Sequence, residues 1–135
     1  MDLGILSALI GIGAGAFGYW SSTFSMQPIL RYRNIRNQVL VDFVYYAQVI
    51  NADGLNEDMK ELFRQRNLAN RKASAELQAA VLDLPGWYSS RLKRQGLNPK
   101  QAAKHLIGFS NTTEYEPSHK LEDAIRKHLG LPPSE

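Results

Sequence analysis

The sequence predicts an all-α protein: one N-terminal transmembrane helix, then a helical hairpin and short C-terminal helices. Three observations lead there. No charged residue occurs between Asp2 and Arg31, while all 16 Lys and Arg residues lie at or beyond Arg31. Downstream, apolar residues recur at three- and four-residue intervals, the period of a helix packed along one face. Gly and Pro punctuate the rest at 84–86, 96–99 and 130–132, and no two segments read as strands that could pair. The expected organisation is an anchor over 1–28, a long helical hairpin over 29–84 and a small helical region over 85–135.

Composition narrows the class. The chain has 135 residues, 44% of them hydrophobic, and a formal charge of +3, one domain's worth by length. Its mean hydropathy is slightly negative, an average over two unlike parts. The absence of cysteine excludes a disulfide scaffold and Cys-based zinc sites.

Residues Leu3 to Thr23 meet the roughly 20 apolar residues that a helix needs to cross about 30 Å of hydrocarbon. Tyr19, Trp20 and Phe24 fall where aromatic rings favour the membrane–water boundary, and Arg31, Arg33 and Arg36 follow closely. This asymmetry places the C-terminal side in the cytoplasm and the N-terminus outside, at the inner membrane. A cleavable signal peptide with Ala14-Gly15-Ala16 as its cleavage site lacks the basic n-region. Gly13-Ala14-Gly15-Ala16-Phe17-Gly18 matches G-x-G-x-x-G, but no strand–turn–helix context surrounds it. A buried soluble helix would carry five glycines between Gly4 and Gly18, each costing about 1 kcal/mol relative to Ala in water. In a bilayer the helix is enforced because its backbone has no other partner. Ser7, Gly11, Gly15, Gly18 and Ser22 are spaced as a ridge of small side chains along which two helices could pack closely.

Pro28 is expected to end or kink the span, with Gln27 biased away from helix. Ile35, Val39, Phe43, Tyr46 and Ile50 then give helical periodicity over Ile29 to Ile50, against the strand propensity of Val, Tyr and Phe. Asn51-Ala52-Asp53-Gly54 reads as a turn and Asn56 as a cap for a helix from about Glu57 to Leu82. Met59, Leu62, Phe63, Ala69, Ala73, Leu77 and Ala80 form its expected apolar stripe. Arg64, Arg66, Arg71 and Lys72 read as a solvated face. Leu84-Pro85-Gly86 breaks the helix, and a short basic one runs from Trp87 towards Gly96. Asn98-Pro99 opens a helix to Ile107, and Ser110 to Thr113 reads as a loop in which Asn111 and Glu114 have capping-box spacing. Pro117-Ser118 opens a last helix, which Gly130 and Pro132 close.

Catalytic and metal chemistry find no pattern. His105, His119 and His128 lack ligand spacing among themselves, and His119 with Asp123 reads as a surface pair. Asp42 is the one acid within an apolar helix, a candidate for pairing or proton binding. Ala102 to Thr113 is similar to the entry of a DNA-binding helix-turn-helix. It has one extra residue before Gly108, with Glu114, Glu116 and Pro117 where a recognition helix would begin. From Asn111 onward the chain carries five acids against three bases, which opposes a nucleic-acid partner.

With those residues in view, the chain resembles small bacterial single-pass inner-membrane proteins of uncharacterised function. The likeness lies in Pro28 to Ile35 (P-I-L-x-Y-R-x-I), Asn70-Arg71-Lys72-Ala73 with Glu76-Leu77, Leu84-Pro85-Gly86-Trp87-Tyr88, and Leu106 to Thr113. It implies an anchored helical domain and brings no catalytic residue. The expected function is membrane-anchored interaction or assembly without catalysis, cofactor or metal. The expected partners are membrane lipid and a second copy or another membrane protein. Alternatives are an oligomerising, pore- or holin-like effector of phage or defence type, and a tethered nucleic-acid-binding protein.

Overall fold

The computed structural model describes residues 2–47, 57–112 and 114–134. Among the described residues there are six α-helices: α1 (Leu3–Ser21), α2 (Gln27–Tyr45), α3 (Glu57–Leu82), α4 (Gly86–Arg94), α5 (Pro99–Asn111) and α6 (Tyr115–Leu129). No strand occurs among the described residues, so the all-α class with one long apolar N-terminal helix holds.

Helix α1 opens on Asp2, whose carboxylate accepts from the Gly4 amide, the usual way an N-cap satisfies an orphan donor. The expected break at Pro28 does not occur. A π turn at Ser22–Met26 joins α1 to α2, and Leu3–Tyr45 is one continuous helix of 43 residues. Pro28 has no N–H for the carbonyl of Phe24. The wider turn absorbs this by letting Gln27 N–H bond the Ser22 carbonyl, five residues back. Gln27 accordingly stays helical, at φ −65° and ψ −45°. At 1.5 Å per residue the rod is about 64 Å long, roughly twice the hydrocarbon thickness.

Beyond the π turn, α2 runs antiparallel to α3: near its start Arg31 pairs with Asp83, just past the end of α3, at 3.2 Å. Near its end the Phe43 ring meets Phe109 of α5 at 5.3 Å, the ring that Arg66 of α3 overlies at 4.3 Å. The expected hairpin is therefore present. The helical period prevails over strand propensity because Ile29, Tyr32, Ile35, Val39 and Phe43 all fall on the buried face. Helix α5 packs antiparallel along α3, with Ser74 Oγ donating to the Ala103 carbonyl at 2.7 Å. Helix α6 folds back along α5, with Asn98 N–H donating to the His128 carbonyl at 3.0 Å. One core, including Tyr32, Leu77, Leu106, Ile125 and Leu129, joins α2, α3, α5 and α6. The regions expected as 29–84 and 85–135 thus share a single packed interior.

Several local expectations are corrected. The turn at Asn51–Gly54, the cap Asn56 and the periodic position Ile50 lie outside the described residues. On α3, Ala73, Leu77 and Ala80 are buried as expected, but so are Arg66, Asn70 and Ser74. Arg66 is only 1% exposed, so it does not belong to the solvated face. Helix α5 continues past Ile107 to Asn111 because Phe109 and Ser110 fall on its buried face, and the Ser110 hydroxyl is satisfied by the Ile107 carbonyl at 2.7 Å. Asn111 accepts from Arg71 at 2.7 Å and forms no capping box. Helix α6 starts before Pro117, placing the proline in the first turn, where a missing N–H costs no helical bond. The cap Asn98, bonded to Gln101 N–H at 3.1 Å, and the left-handed Gly130 at φ 70° stand where the sequence puts them.

Candidate membrane anchor and helix-packing face

Helix α1 carries none of its side chains into the bundle. None of its residues is buried, although Leu3, Ile12, Phe17 and Tyr19 are each more than two-thirds exposed. A contiguous apolar surface of this extent is paid for in water by nothing in the fold, and a bilayer removes the cost. It is one helix long and apolar enough to cross a membrane.

The small residues lie as their spacing requires. At 3.6 residues per turn, Ser7, Gly11, Gly15, Gly18 and Ser22 occupy an arc of about 80°. All five are exposed, and a Cβ built at Gly11, Gly15 or Gly18 meets nothing within 4 Å. The protomer itself therefore does not demand glycine there. Towards the C-terminal end of α1 Trp20 lies between Phe17 and Phe24, with centroids 6.5 and 5.7 Å away. Tyr19, which has no such neighbour among the described residues, is 74% exposed.

The three expected interfacial arginines separate into two environments. Arg31 is tied to Asp83, and both side chains are at least half exposed, so the pair fixes geometry more than it stabilises. Arg33 and Arg36 instead line a groove of about 260 Å³ between α2 and α4, with Tyr88 and Arg91. Arg36 donates to the Asn37 side chain at 3.3 Å. Among the described residues no carboxylate pairs with Arg33, Arg36 or Arg91. Tyr32 beneath them is fully buried. Burial, and next Tyr88, push its phenol up to about 12, with Arg36 opposing.

The remaining polar candidates are structural in their contacts. Asp42 accepts from Gln38 at 3.0 Å. Its partial burial raises its pKa above the ordinary carboxylate value, and the Gln38 bond works the other way. His119 and Asp123 approach to 3.4 Å on the surface. Among the described residues no three metal-ligating side chains cluster.

Two features escaped sequence reasoning. Arg66 donates through Nη2 to the carbonyls of Phe109 (2.8 Å) and Thr112 (3.4 Å). It thereby caps the C-terminal end of α5 from another helix, where the macrodipole favours a cation. Its spacing from Phe63 and Asn70 is the signal that could have placed it on the inner stripe. His105 and His128 stack with centroids 5.6 Å apart, a pairing that the sequence spacing does not contain. Burial lowers the His128 pKa, and His105 and Lys127 lower it further.

That shift carries a pH dependence. The unfolded chain binds a proton at His128 more readily than the folded one, so the stability is present above the unfolded imidazole pKa and is lost as pH falls from there through the lower folded pKa. The melting midpoint is expected to be lower at about pH 5.5 than at about pH 7.5. His128→Gln is expected to remove part of that difference, and an identical difference in the variant would exclude His128 as its source.

The α5–α6 pair also decides the geometry of the helix-turn-helix likeness. The His128 carbonyl bonded to Asn98 N–H makes it an antiparallel hairpin, whereas a DNA-reading pair crosses at roughly 90–120°. A scan of protein-family models and searches of curated proteins and solved structures gave no match to this chain.

Proposed function

We propose that this protein is a single-pass inner-membrane anchor for a cytoplasmic helical bundle, and that its work is assembly without catalysis. The observation that carries this reading is α1, a long apolar helix that buries none of its residues in the fold. Continuity with α2 supports a rigid post, so that the bundle's position follows that of the span. The small-residue ridge on α1 supplies the face for self-association, and the arginines after Leu30 set the orientation with the N-terminus outside.

The chain's lack of cysteine makes the test direct. Asp2→Cys and Pro133→Cys introduce single thiols at opposite, exposed ends of the molecule. In intact cells a membrane-impermeant maleimide should label Asp2→Cys and reach Pro133→Cys only after lysis. The chain should remain in the membrane pellet after alkaline carbonate extraction. Release into the soluble fraction would overturn the anchor, and surface labelling of Pro133→Cys would overturn the orientation.

A further inference from the structure

We infer that the bundle makes a second contact with the bilayer: the α2–α4 groove binds phosphate headgroups of anionic lipid in the leaflet where α1 ends. The inference rests on the anchor reading above, because α1 sets where the bundle sits. Helix α4 is held beside the first turns of α2 by the Tyr32–Tyr88 ring contact, with centroids 6.1 Å apart. Tyr32 lies only nine residues beyond Thr23, about 13 Å along the helix axis. Its neighbours are therefore close to the headgroup layer.

Two independent properties of that end fit lipid. First, Leu82 at the end of α3 and Trp87 at the start of α4, on either side of the turn, are 79% and 55% exposed, although the core lies alongside. Tryptophan so placed is the side chain favoured at the membrane boundary. Second, the charge is polarised along the molecule. Residues 24–38 and 82–100 hold seven Arg and Lys against the single acid Asp83, while the rest of the chain holds nine against twelve acids. Asp83 is engaged by Arg31. The groove itself presents Arg33, Arg36 and Arg91, with no carboxylate paired to them among the described residues. Guanidinium forks match phosphate oxygens in two-point hydrogen bonds. The same face offers a protein partner less, since such interfaces tend to exclude uncompensated charge from their centres.

The test uses the full chain reconstituted in vesicles, with its two tryptophans separated. Trp20→Phe leaves Trp87 to report the groove, and Trp87→Phe leaves Trp20 to report the span. In phosphatidylglycerol vesicles carrying brominated acyl chains, Trp87 should be blue-shifted and quenched. In purely zwitterionic vesicles that quenching should weaken. Adding Arg33→Gln and Arg91→Gln should shift the docked-to-undocked ratio of Trp87 by about fivefold per base removed. Trp87 emission that stays aqueous while Trp20 is quenched overturns the second contact and leaves the anchor standing. Trp20 unquenched overturns the anchor, whatever Trp87 reports. Equal Trp87 quenching in both lipids, unchanged by the arginine variants, would overturn headgroup binding and leave only apolar contact.

Discussion

Replacing Arg66 with alanine is expected to lower the stability of the bundle by about 3 kcal/mol, the largest single-site loss outside the apolar core. A hydrogen bond to a charged donor contributes about 1.5–3 kcal/mol, and Arg66 makes two to the end of α5. Its guanidinium carbon also lies 4.3 Å from the Phe109 ring centroid and 5.1 Å from that of Phe63. A desolvated cation–π contact adds up to about 2 kcal/mol. Opposing this, burial disfavours the charge and pushes the guanidinium pKa down to about 10, with Glu122 partly restoring it. The alanine variant loses these gains and leaves the carbonyl of the buried Phe109 without the Arg66 donor. For a bundle of this size the melting midpoint should fall by about 12 °C, read from near-ultraviolet circular dichroism in micelles. Arg66→Lys, a point charge without the fork, should fall between. Arg64→Ala, where an exposed side chain pairs with Glu61 at 2.9 Å, should change little. An Arg66→Ala midpoint within about 2 °C of the parent would show that Arg66 contributes no net stability to the end of α5.

Gly15→Ile is expected to weaken self-association of the span by about tenfold, roughly 1.4 kcal/mol, because a branched side chain on the ridge holds the two backbones apart. The protomer accommodates the new side chain freely, since a Cβ at Gly15 meets nothing within 4 Å. A loss would therefore report on contacts between molecules. Gly13→Ile provides the control: its Cβ position is equally open, but on the helical wheel it lies on the face away from Ser7, Gly11 and Gly18. In a membrane two-hybrid assay Gly13→Ile should keep the parent signal while Gly15→Ile loses it. Equal loss in both would point to a general effect on the helix, and no loss in either would remove the ridge as an association face.

Much of the candidate site was legible in the sequence because it is a property of local composition. The charge-free run to Leu30, the spacing of the small residues and the arginines that follow need no long-range contact to be read. The start of α5 and the end of α6 are legible too, since Asn98-Pro99 and Gly130 act through their own backbone geometry, whereas the end of α5 and the start of α6 depend on packing. Pro28 disturbs the helix less than its chemistry alone predicts. A proline forbids a bond to one carbonyl, and a single widened turn meets that demand without ending the helix.

What the sequence alone determined, then, is the division of the chain by solvent: a span suited to lipid and an amphipathic helical remainder that holds all the positive charge. Only the tertiary structure decided where that charge goes. It buried Arg66 because the end of α5 offers carbonyls that a distant side chain must satisfy. It brought Arg91 to Arg33 and Arg36 because α4 packs beside α2. Period and propensity report on neighbours along one helix. The burial of a cation, and the gathering of basic side chains beside the span, depend on contacts between residues more than forty positions apart.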